Sequence, residues 1–75
     1  MEDHPYRRWR DKHGLTQRMV AQALGLSLLT YSHWENRHHS PHRYNEDKMK
    51  RLMAAVEQDP RLAYRIQTDS VRRIV

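Results

Sequence analysis

Apolar residues return along this chain at helical spacing. Tyr6, Trp9 and His13 share one face of a first segment, with Arg7, Arg8 and Lys12 turned mostly outward. Pro5 suits the first helical position and Gly14 a C-terminal cap. A second segment, Gln17 to Leu24, has Thr16 as its cap and buries Val20, Ala21 and Leu24, while Leu15 pairs with Val20 as a hydrophobic staple. Gly25 ends it in the left-handed conformation. Ser27 then caps a third segment, Leu28 to Glu35. There Tyr31 and Trp34 point inward, and Leu28, Leu29, Ser32 and His33 point outward. Leu26 and Tyr31 form a second staple.

Asn36 to Tyr44 reads as a polar connection. Asn45 is placed to cap a fourth helix, with Glu46 and Asp47 favourable at its positive end and Met49, Leu52, Met53 and Val56 as its buried stripe. Asp59 and Pro60 signal a fifth helix to about Gln67, burying Leu62 and Ile66. The expectation is an all-α, five-helix domain over 1–67, followed by a C-terminal segment, 68–75, that is apolar and basic and available for dimerisation.

Length and charge narrow the function. Seventy-five residues form one domain with a modest core, which often needs a partner chain. Fourteen Lys and Arg against nine acids give a net charge of +5, which attracts polyanions: nucleic acid first, an anionic membrane surface second. With no cysteine there is no disulfide or thiolate metal site, and no apolar run is long enough for a signal or membrane segment. The expected location is the cytoplasm, with no membrane partner.

The second and third segments are joined by Ala-x-x-Leu-Gly-Leu-Ser, a tight turn between two short helices. Ala21 and Gly25 would supply the small residues that a steep helix crossing needs. Such a unit braces one helix on the DNA backbone and aims the next at base edges in the major groove. The register Gly14-Leu15-Thr16-Gln17, Ala21, Leu24-Gly25-Leu26-Ser27, Trp34-Glu35-Asn36 and Pro41 resembles the phage repressor and Cro-like helix-turn-helix family, often called the XRE family. The resemblance runs from about Tyr6 to Met53. It implies a lambda-repressor-like DNA-binding fold.

It also implies roles. Gln17 and Asn36 match phosphate contacts. Leu28, Leu29, Ser32 and His33 match the base-reading positions. Arg10 and Glu35 match a pair joining the first and third helices. Beside these, Ser27 opens the third helix with a hydroxyl cap and free N–H groups that favour a phosphate, and Arg37, His38 and Arg43 are placed for phosphate or a minor groove. Where the family usually has Gly, this chain has Arg37. Either Asn36 takes the left-handed conformation or the turn is reshaped.

Leu28 and Leu29 depart from the usual polar readers. They fit contact with thymine methyl groups, or else packing against a partner subunit or the fourth helix. Arg10 and Glu35 read as a clamp that sets the angle of the third helix, or else as an ordinary surface pair. Lys48, Lys50 and Arg51 read as a solvated face. Trp9 and Trp34 are in phase with the core, which argues against base stacking. His33, His38, His39 and His42 lie near one another in sequence without a cysteine, and no metal or cofactor is expected. No nucleophile has a base at readable spacing and no Gly-rich phosphate loop is present, so no catalytic residue and no enzyme are expected.

The functional expectation is a sequence-specific regulator of double-stranded DNA. The form expected is a homodimeric repressor, an autorepressor of a phage, plasmid or other mobile-element operon, on an inverted-repeat operator. Dimerisation is assigned to Leu62, Ile66, Val71, Ile74 and Val75. The alternative is an antitoxin or other interaction module that covers a toxin or a polymerase with its C-terminal segment and keeps DNA binding.

Overall fold

Side chains that accept a backbone N–H within the first turn set most of the helix starts here. In the computed structural model, Thr16 Oγ1 accepts the Met19 amide at 3.1 Å, and Ser27 Oγ accepts the Thr30 amide at 3.1 Å. Helices α2 (Gln17–Leu24) and α3 (Leu28–Glu35) therefore begin where the hydroxyls predict. The structure describes residues 4–37 and 40–74, with side chains described as far as residue 68. Those residues hold five helices and no strand, the others being α1 (Pro5–Lys12), α4 (Arg43–Gln58) and α5 (Arg61–Ile74).

Pro5 opens α1 as expected, but the cap is His4, whose Nδ1 accepts the Tyr6 amide at 3.1 Å. Gly25 has φ +74° and follows the last residue of α2, and the Leu26 amide reaches back to the Ala21 carbonyl at 2.8 Å. A Cβ at Gly25 would meet nothing within 4 Å. This corrects the packing argument for that position: glycine is required there by backbone conformation, and close approach falls to buried Ala21.

The fourth helix starts earlier than Asn45. His42 stands at its N-cap without a side-chain cap bond, and Arg43 and Tyr44 are helical. Asn45 faces α3 across a cavity instead of capping. The helix thus starts without a side-chain cap. At the next junction Asp59 Oδ1 accepts the Arg61 amide at 3.1 Å, and α5 continues beyond Gln67 to Ile74.

Trp9, Leu15, Val20, Ala21, Leu24, Tyr31, Trp34, Met49, Val56 and Ala63 form the core. Leu62 and Ile66, assigned above to dimerisation, are half-buried against this same core. The side chains of Val71 and Ile74, and all of Val75, lie outside the described residues.

Two long-range polar contacts fasten the helix ends. Lys48 Nζ donates to the Leu24 carbonyl at 2.7 Å, so Lys48 is not simply part of a solvated face. Gln67 Nε2 donates to the carbonyls of His13 and Gly14 at 3.2 and 3.0 Å, tying α5 to the end of α1.

Candidate nucleic-acid interface

The two aromatics of α3 decide which way the helix faces. Tyr31 is fully buried and Trp34 nearly so, their rings 5.9 Å apart edge to face. Burial, then the nearby Glu35 carboxylate, pushes the Tyr31 phenol far up, so it stays protonated. With this side sunk, the other is presented outward. Leu28 is 41% and Leu29 66% exposed, and Ser32 and His33 are half-buried. None of the four side chains is sealed in the monomer.

Arg10 and Glu35 meet as a two-pronged pair. Arg10 Nε donates to Glu35 Oε2 at 2.9 Å and Nη2 to Oε1 at 3.0 Å, while Nη1 donates to the Leu15 carbonyl at 3.0 Å. One guanidinium therefore ties α1, the connection to α2, and α3. Burial alone would raise the Glu35 carboxyl. The Arg10 bonds, then the adjacent Tyr31 phenol and Gln17 amide, outweigh it and hold the group below its usual range.

Gln17 Nε2 donates to Glu35 Oε1 at 3.1 Å. One of its two side-chain N–H donors is thus used inside the protein, leaving the other and the backbone N–H at the first position of α2 to meet an anion. Ser27 Oγ is engaged by the Thr30 amide and donates to Thr30 Oγ1 at 2.8 Å. Asn36 Nδ2 donates to Ser32 Oγ at 3.3 Å.

Asn36 has φ −88° and ψ 4°, so it is not the left-handed residue. Arg37 is, at φ +63°, and it is exposed. The turn keeps the geometry a glycine would adopt and places an arginine in it, against a conformational cost of about 1–2 kcal/mol. His38 and His39 lie outside the described residues.

Thr30, His33, Trp34, Ser40, Pro41, His42 and Asn45 line an open cavity of about 380 Å³ between α3 and the start of α4. It brings His33 and His42 to one place. Among the described residues no three His, Cys, Asp or Glu side chains converge as a metal site would require. Arg43 is exposed in the first turn of α4, where a cation opposes the helix dipole unless an anion lies near. No helix among the described residues is long and apolar enough to cross a membrane.

Sequence reasoning missed Lys48, Gln67 and the His4 cap. The two tethers join residues far apart in the chain, and histidine is an uncommon cap, so no local pattern marks them.

Residues 7–43, just under half the chain, match the family model described as Helix-turn-helix. No curated protein and no solved structure matches the chain.

Proposed function

We propose, for a chain whose residues 7–43 belong to the helix-turn-helix family of the XRE type, that it is a homodimeric repressor acting on an inverted-repeat operator. DNA binding and transcription regulation come with the family. The observation that carries the finer reading is the outward face of α3, held at a fixed angle by buried Tyr31 and Trp34 and by the Arg10–Glu35 pair. Leu28, Leu29, Ser32 and His33 meet base edges. Gln17, Ser27, Asn36, Arg37, His38 and Arg43 meet phosphate or line a minor groove.

One eight-residue helix reads few base pairs, which favours two copies related by a two-fold axis. Their reading helices would lie about 34 Å apart, one turn of DNA. Leu62 and Ile66, only partly covered by their own core, contribute to the contact between copies together with Val71, Ile74 and Val75. Occupying a promoter, its own among them, is the mechanism of repression, in a phage or plasmid operon and in the cytoplasm.

Selection of bound fragments from random duplex DNA at physiological salt tests this reading. An enriched inverted repeat with half-sites one turn apart is the expected result. Enrichment of a single unrepeated site would remove the dimer, and no enrichment at all would remove sequence-specific binding.

A further inference from the structure

Leu28 and Leu29 stand exposed on the outer side of α3, and several polar groups around them make hydrogen bonds within the protein. Ser27 Oγ is bonded to both the amide and the hydroxyl of Thr30. Ser32 Oγ accepts from Asn36 Nδ2. Glu35, the one carboxylate in the α3 sequence, is 8% exposed and held by Arg10 and Gln17. The opening turn of the helix thus offers a ligand two branched hydrocarbon side chains.

In the major groove a base pair of ordinary DNA offers one apolar group, the C5 methyl of thymine. Against guanine or unmethylated cytosine a leucine would strip water from O6, N7 or N4–H and give no hydrogen bond back. The net charge of +5 favours a polyanion over another apolar protein surface as the occupant. Arg37 and Arg43, both exposed near the two ends of the loop after α3, add to that preference.

Resting on the reading that α3 enters the major groove of duplex DNA, we propose that Leu28 and Leu29 recognise the C5 methyl groups of neighbouring pyrimidines. 5-Methylcytosine then stands in for thymine at those positions. Its methyl sits on the same ring carbon and projects into the same groove, so the methylation state of a cytosine sets affinity wherever one replaces the thymine. Leu29, the more exposed of the two, carries the larger share.

The test uses the full chain and the duplex selected as above. Each dT is replaced in turn by dU, which removes only the methyl. At the positions facing the leucines the wild-type protein should lose about four-fold in affinity per methyl, the value of one buried methylene. Leu29→Ala should bind the dT duplex more weakly and lose little further on dU, since the group that feels the methyl is gone. Replacing dT·dA at such a position with 5-methylcytosine paired to dG should bind about four-fold tighter than cytosine paired to dG. Equal affinity for dT and dU duplexes at every position, with sequence preference intact, overturns this inference and leaves DNA reading by α3 standing. Failure to select any duplex overturns both. The DNA substitutions need no protein variant, so misfolding cannot imitate either result.

Discussion

Lys48, on the second turn of α4, donates its ammonium to the carbonyl of Leu24, the last residue of α2, at 2.7 Å. The contact satisfies a carbonyl that the end of a helix otherwise leaves open, and it holds the turn before α3 against the fourth helix. The Tyr44 ring lies 5.6 Å from the same nitrogen and helps to fix it. Lys48→Met, which keeps the hydrocarbon stem, should cost about 1 kcal/mol in a urea melt. It should also weaken binding to all DNA sequences alike. An unchanged melting midpoint would show that the backbone amides of Gly25 and Leu26 secure the end of α2 without Lys48.

Arg10→Met leaves the nearly buried Glu35 carboxylate with the Gln17 amide as its remaining described side-chain hydrogen-bond donor. The expected loss is about 3 kcal/mol, the scale for breaking a buried pair from one side. The double variant Arg10→Met, Glu35→Met should recover much of that stability while losing DNA affinity, because packing returns but the tie between α1 and α3 does not. A loss below about 1 kcal/mol for the single variant would make the pair an ordinary surface contact. Denaturation curves and DNA titrations on the same samples separate the two effects.

Arg37 presents opposite signs for stability and binding. Arg37→Gly should relieve the left-handed backbone and raise stability by about 1 kcal/mol. The same change should weaken binding to specific and random DNA together and reduce the salt slope by about one unit. A melt and a salt titration read both. An unaltered slope removes Arg37 from the phosphate contacts.

His4 and Glu35 give two separate pH windows. Burial, then the charge of Arg37, lowers His4 below its ordinary 6.5, so the unfolded chain takes up the proton first. Its contribution is complete above pH 6.5 and is lost as pH falls through that value towards the lower folded one. Protonation also places a hydrogen on Nδ1, the atom that accepts the Tyr6 amide and caps α1. Glu35, also lowered, contributes above its ordinary 4.5 and loses that contribution as pH falls further, through its folded value. Stability measured against pH should therefore decline in two steps. His4→Asn, whose side-chain oxygen can cap at any pH, should abolish the upper step alone. Persistence of that step would assign it to another histidine.

The starts of α2 and α3 were legible because their signals are local. A hydroxyl at Thr16 or Ser27 and an amide three residues later need nothing from the rest of the chain. The inward phase of Tyr31 and Trp34 was legible for the same reason, since helical spacing alone puts them on one side. The beginning of α4 was not. Asn45 has the chemistry of a cap, but its neighbours across the cavity are Thr30, His33 and Trp34, which no window around Asn45 contains. Arg37 shows the complementary case. The need for a left-handed residue in that turn was readable, but the sequence left Asn36 and Arg37 both open, and the structure places it at Arg37. The tethers from Lys48 and Gln67 depend on the packing of helices 24 or more positions apart in sequence.

Gln67 reaches the carbonyls of His13 and Gly14 from the last helix, and Met49, Val56 and Ala63 complete the core beneath Tyr31. A graft of residues 7–43 onto a foreign scaffold would accordingly carry the probe away without the floor it stands on. Retargeting this chain to a new DNA sequence is a matter of exchanging side chains on α3 in situ, not of transplanting the motif.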